Sequence, residues 1–112
     1  MLDLLLAAAL SFVQPVMVTG YTVDDHCEPS DPGYRWCDGK TASGEVADPS
    51  RRIAACPRRF PFGTEVRVVG LGRYRCVDRG GKIRGHRLDI LVDSEREAYS
   101  LTGWYLVVWE EA

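Results

Sequence analysis

The 112-residue chain predicts a mainly β fold closed into a small barrel, with one short helix near its C-terminus. Three observations carry that expectation. Apolar and β-branched residues recur in short runs with a period of two, the spacing of alternating strand faces. Six prolines and eleven glycines punctuate those runs, which favours turns over long helices. An open sheet of so many short strands would leave exposed edges, and closure removes them.

Residues 1–15 form an N-terminal apolar segment. Met1 to Leu10 reads as part of a secretory signal, with Ala7, Ala8 and Ala9 ahead of Ser11, although Asp3 stands where a basic residue is usual. A short core helix is the alternative. A stable membrane span is not expected, because Asp3, Gln14 and Pro15 interrupt the roughly 20 apolar residues a span requires. Residues 16–112 then make one domain. Val16 to Val23, β-branched and aromatic, is the first strand. Asp24 to Gly44 is a long loop carrying Pro29, Pro32, Gly33 and Gly39, and loops of that length in compact domains are often functional. It closes with Thr41-Ala42-Ser43-Gly44, whose hydroxyls suit a sugar-contacting lip or an ordinary turn.

Ile53 to Cys56 is a short apolar strand stopped by Pro57, and Pro61 with Gly63 marks a turn. Glu65 to Val69 and Tyr74 to Asp78 make a hairpin across Gly70 and Gly72. Within its second arm the period of two puts Tyr74, Cys76 and Asp78 on one face. Leu88 to Val92 is a fifth strand. Ser94 and Glu97 form a capping box that starts a helix running to about Leu101, and Gly103 fits the left-handed position beyond its end. Trp104 to Trp109 is the last strand.

Chemistry concentrates between Asp78 and Asp89. There Gly80, Gly81 and Gly85 allow tight turning or close approach of a ligand, and the two carboxylates bracket them. The period of the fifth strand seats Asp89 on a rigid element, and the turn is expected to bring Asp78 and Asp89 into one cleft. The structural alternative is that Asp78 caps a turn while Asp89 pairs with Arg87 or Arg84. The formal charge is −2, yet between Arg51 and Asp89 eleven Arg and Lys side chains face only Glu65, Asp78 and Asp89. That imbalance suits an anionic or polyhydroxylated ligand, or a solvated face. The acidic whole argues against a dedicated nucleic-acid binder.

Four cysteines, none spaced Cys-x-x-Cys, favour disulfides over zinc and place the chain outside the cytosol. Three pairings are possible. Cys27 with Cys37 and Cys56 with Cys76 are preferred, because each pair closes a turn-rich segment. A zinc site at His26 or His86 lacks the usual close ligand pairs. The same histidines have no placed serine partner, and bridged cysteines cannot act as nucleophiles.

Taken together, Thr41-Ala42-Ser43-Gly44, Pro61-Phe62-Gly63-Thr64, Gly70 through Tyr74, Asp78 through Gly85, Arg87-Leu88-Asp89 and Glu97-Ala98 resemble the 3D domain, a family named for three aspartates. The resemblance spans nearly all of the chain after about Val16. It implies a six-stranded double-psi β-barrel and lytic cleavage of peptidoglycan, between N-acetylmuramic acid and N-acetylglucosamine, to give 1,6-anhydro ends. The last family aspartate falls on Asp89, the catalytic acid and base of the family's transglycosylases, and the middle one on Asp78. Where the first is expected, Cys56 precedes Pro57. Thr41, Ser43, Gly80, Gly81, Lys82 and Arg87 are the candidate substrate-binding residues. No metal and no other cofactor is expected, the partner is a peptidoglycan glycan strand, and the chain is expected to act as a secreted or envelope monomer. A glycan-binding or wall-remodelling barrel without catalysis is the alternative, and a structural part of a phage or envelope assembly is a third reading.

Overall fold

A computed structural model describes residues 10–23 and 39–111. Six strands close into a barrel in the order β1-β5-β2-β4-β3-β6, with β6 returning to β1. They are β1 (Leu10–Tyr21), β2 (Ile53–Ala55), β3 (Glu65–Val68), β4 (Gly72–Asp78), β5 (Arg87–Leu91) and β6 (Gly103–Glu111). A helix, α1 (Glu95–Leu101), precedes the last strand, and a 3-10 turn covers Pro49–Arg51. The expected class and strand count are both found. β1 pairs parallel with β5 and β2 parallel with β4, while the other four seams are antiparallel.

The first strand begins at Leu10, six residues ahead of the expected start. Its first nine residues lie antiparallel along β6, from Leu10 opposite Glu111 to Val18 opposite Gly103. Pro15 is tolerated there at an exposed position. Pro29, Cys27 and Cys37, together with His26, fall outside the described residues. Among the described residues no helix is long and apolar enough to cross a membrane.

Alternate residues of the strands fill the interior. Val16, Val18, Ala54, Cys56, Val66, Val68, Tyr74, Cys76, Leu88, Ile90, Val107 and Trp109 form one buried cluster, with Phe60 against Trp109 edge to face. Cys56 and Cys76 are bonded to each other within it, as preferred from the sequence, tying the end of β2 to β4. A second, smaller cluster of Ile53, Val77 and Leu91 lies on the opposite face of β2, β4 and β5, under Tyr21.

The β3–β4 hairpin turns through Gly70 and Gly72, both at positive φ. α1 starts at Ser94, whose Oγ accepts from the Glu97 amide at 3.1 Å. Glu97 reaches back to the Asp93 amide rather than to that of Ser94. The helix end differs from expectation: Gly103 does not adopt left-handed φ but opens β6, and Thr102 is an extended C-cap. Side chains replace the glycine cap. The Thr102 hydroxyl donates to Ala98 O at 2.7 Å and the Tyr105 hydroxyl to Leu101 O at 2.6 Å, satisfying carbonyls that the helix leaves open. Gly20 lets α1 approach β1, since a Cβ there would stand 2.7 Å from Ala98 Cα.

Candidate functional site

The site is set by one irregularity in β4. Against β2, Ala54 is level with Cys76 but Ala55 is level with Asp78, so Val77 is an extra residue in the ladder. A bulge of this kind turns the next residues of its strand to the other face. Tyr74 and Cys76 point into the main core, Val77 joins the outer cluster, and Asp78 goes outward with it instead of sharing the face of Tyr74 and Cys76. The period-two reading of β4 therefore fails at its last residue.

The register then draws a line across four strands. Asp78 on β4 is level with Ala55 on β2, Ala55 with Asp89 on β5, and Asp89 with Thr19 on β1. Ala55 offers only a methyl group between the two carboxylates. Strands lie about 4.8 Å apart, so the two aspartates are rooted roughly 10 Å apart with open space above the alanine. That space is a cavity of about 200 Å³, lined by Tyr21, Ala55, Asp78, Arg79, Gly80, Ile83 and Asp89.

Asp78 is 2% exposed, and both of its oxygens are engaged. Oδ1 accepts from the amides of Ala42 and Arg79, each at 2.9 Å, and Oδ2 accepts from the Tyr21 hydroxyl at 2.7 Å. Burial, followed by the charges of Asp78 and Asp89, pushes the Tyr21 phenol far above its ordinary value. It stays a donor throughout the neutral range. Asp89 is half-buried and accepts from the Thr19 hydroxyl at 3.0 Å through Oδ1. Tyr21 and Thr19 were not singled out in the sequence, although they sit two apart on one face of β1; an aromatic in a strand reads first as core.

The other candidate residues divide. Thr41 and Ser43 belong to a turn docked on the end of β4. The Ser43 amide donates to Val77 O at 3.1 Å, the two hydroxyls lie 3.0 Å apart, and the Ala42 amide reaches Asp78. Gly80 lines the cavity, and its lack of Cβ lets Ile83 fold back, because a Cβ would meet Ile83 Cγ1 at 2.9 Å. Gly81 lines a larger neighbouring cavity, Lys82 is exposed at the loop tip, and Arg87 heads β5 beside β1. Arg79 does not turn toward the carboxylates. Its guanidinium donates to the carbonyls of Phe60, Asp78 and Cys56 at 2.6, 3.1 and 3.4 Å, and it lies over the Phe62 ring. Asp48, which precedes Pro49, caps the 3-10 turn by accepting from the amide and hydroxyl of Ser50.

Among the described residues, no group of three or more His, Cys, Asp or Glu side chains is placed to hold a metal ion. A family model described as the 3D domain matches residues 51–108, which contain β2 through most of β6 and both aspartates. Two relatives come from Bacillus subtilis (strain 168). The Cell wall-binding protein YocH is 31% identical over 86 residues, 74% of this chain and 27% of that protein. The SPbeta prophage-derived uncharacterized protein YorM is 39% identical over 71 residues, 55% of this chain and 30% of that protein. The chain thus spans under a third of the length of either curated relative.

Proposed function

The chain belongs to the 3D domain family, and on that premise we propose that its barrel acts on peptidoglycan as a lytic transglycosylase with Asp89 as general acid and base. The observation that carries this reading is the row Asp78, Ala55, Asp89, Thr19, which opens two carboxylates onto one small cavity from rigid strands. YocH bears the name of a cell wall-binding protein, and the Cys56–Cys76 bridge fits an oxidising compartment outside the cytosol.

The roles separate by hydrogen bonding. Asp78 spends its oxygens on the 41–44 turn, the loop amide of Arg79 and the Tyr21 phenol, so it shapes the cleft and sets its field. Asp89, held in orientation by Thr19, faces the cavity from β5 and is the group that meets the bond. It donates a proton to the glycosidic oxygen as the bond from C1 of the muramyl residue breaks. The C6 hydroxyl of the same residue then attacks C1, and its proton passes to Asp89. Acid and base are one carboxyl group, no water is consumed, and the product carries a 1,6-anhydro ring. Because the nucleophile is tethered to the reacting sugar, positioning supplies much of the rate.

Purified sacculi incubated with the protein, followed by mass analysis of released fragments, test the proposal. Fragments with 1,6-anhydro ends are expected, and Asp89→Asn should release none while its melting temperature stays within about 2 °C of the parent, since an amide oxygen still accepts from Thr19. Clearing retained by that variant overturns the assignment. A second reading, wall binding without cleavage, is favoured by Cys56 at the place of the first family aspartate. It predicts retention on sacculi with no new ends of either kind.

A further inference from the structure

Beside the Asp89 cavity lies a larger one, about 610 Å³, whose lining includes Arg58, Arg59, Arg79 and Arg84 and no acidic residue. The two cavities share Arg79, Gly80 and Ile83, so they lie side by side around the 79–85 loop. Among the described residues no carboxylate forms a salt bridge with these four arginines, although the Asp78 charge acts on Arg79. Among the described residues the Arg–carboxylate pairs are Arg51 and Arg75 with Glu45 and Arg73 with Glu65, all elsewhere on the barrel. Arg58 and Arg84 are exposed, and neither makes a side-chain hydrogen bond or ion pair with a described residue.

The other two arginines are held by their neighbours. Arg79 is fixed by three carbonyls, and Arg59 lies over the rings of Phe60 and Trp109 at 4.8 and 5.7 Å. Burial and then the Arg58 charge push Arg79 below the usual guanidinium range, against the opposing pull of Asp78, so an anion lodged between the two arginines relieves a repulsion. Guanidinium groups match carboxylates with paired, directional donors. A neutral stretch of sugar would leave these charges unanswered.

We propose that this cavity is a carboxylate subsite, receiving the acidic substituents borne by the muramyl residues of the strand whose bond lies at Asp89. The inference rests on the peptidoglycan reading above and adds to it the part of the polymer that is recognised. A muramyl residue carries its acid on the lactyl arm, either as a free carboxylate or continued into a stem peptide with carboxylates of its own. Both hang from the sugar that undergoes cleavage, so a pocket beside the Asp89 cleft lies within their reach. A backbone of N-acetylglucosamine alone has no such group.

Equilibrium binding tests this with the full chain carrying Asp89→Asn as parent, so that strands are not consumed, against the same chain with Arg58→Gln and Arg84→Gln. Three soluble ligands, each free of phosphate polymers, are used: peptide-bearing glycan strands, strands stripped of peptide by an amidase, and neutral β-1,4-linked N-acetylglucosamine oligomers. The double variant should bind acidic strands about tenfold more weakly, two solvent-exposed ion pairs being lost, and the neutral oligomers unchanged. The difference should shrink as salt is raised through about 0.5 M. A loss on stripped strands alone assigns the free lactyl carboxylate, a loss on peptide-bearing strands alone assigns the carboxylates of the stem peptide, and a loss on both means that the pocket takes either.

Equal affinity of parent and double variant for every strand overturns the subsite while leaving the wall reading standing. Failure of the parent to bind any strand overturns both. A fourth ligand, peptide-bearing strands that keep their teichoic-type phosphate polymer, completes the test: a loss seen on it alone replaces the carboxylate with a phosphodiester polymer and also refutes the proposal. Arg58→Lys with Arg84→Lys retains the charges without the paired donors and should recover part of the affinity; equal weakening by Gln and Lys pairs would refute an ionic role.

Discussion

Replacing Tyr21 by Phe removes one atom and tests how the cleft is held. The phenol donates to Asp78 Oδ2 at 2.7 Å in a partly buried setting, and its loss leaves that oxygen without this donor. A hydrogen bond to a carboxylate contributes about 1.5–3 kcal/mol. For a domain of this length 1 kcal/mol moves the melting temperature by about 4 °C, so Tyr21→Phe should melt roughly 8 °C lower at neutral pH. The same phenol yields a second, opposite signature. Its folded-state value is raised, chiefly by burial and then by Asp78 and Asp89, so the native protein keeps the proton while the unfolded chain loses it above about pH 10. Native stability from this group is complete below that value and falls as the pH rises beyond it, by about 1.4 kcal/mol per unit. Tyr21→Phe has no such proton to lose. Its deficit against the parent should therefore narrow by about 1 kcal/mol between pH 10 and 11 in urea titrations. A deficit below about 0.5 kcal/mol at neutral pH, or one that does not narrow in alkali, would refute the role assigned to the phenol.

The remaining expectations concern the frame around the site. Cys56→Ala with Cys76→Ala opens a link between residues 20 apart, which constrains the unfolded chain by about 3 kcal/mol in the chain-entropy account, and urea midpoints should fall accordingly. A loss under about 1 kcal/mol would mean that the bridge adds little to the β2–β4 seam. Gly20→Ala pushes a Cβ to within 2.7 Å of Ala98 Cα, a backbone atom that cannot swing aside. It should cost about 1–3 kcal/mol by overpacking, with a displaced α1 visible in amide chemical shifts of residues 95–101.

The barrel was legible because closure leaves a local trace at every strand. The hairpin declared itself through Gly70 and Gly72 flanked by alternating apolar residues, and the helix through Ser94 and Glu97. The bulge at Val77 left no trace of that sort: no glycine marks it, and a valine beside two buried neighbours reads as ordinary strand. Yet it decides which way Asp78 points. The helix end was misread for a related reason. Thr102 and Tyr105 supply the donors that Gly103 was expected to make unnecessary, and a side chain that folds back four residues is invisible to a position-by-position reading.

The same bulge gives a physical account of Cys56. Its amide donates to Asp78 O at 3.1 Å and its carbonyl receives Arg79 Nη1 at 3.4 Å, so the backbone around Cys56 already braces the residues that flank the bulge. Its sulfur adds a covalent tie to Cys76, two residues before Asp78. A carboxylate at position 56 would fill the same place only by finding donors of its own, since a buried charge without partners is costly. In this chain, then, the bridge fixes β4 just before it turns outward, and three donors fix the side chain just after. Asp78 is pinned from both sides, and the orientation of Asp89 rests on a different pair of strands, β5 and β1, joined through Thr19. Loss of the first aspartate thus falls on the half of the site that carries structure, which is why the proposed acid can survive it, and why Asp89→Asn and the cysteine pair should separate cleanly: the first loses fragments without stability, the second stability before fragments.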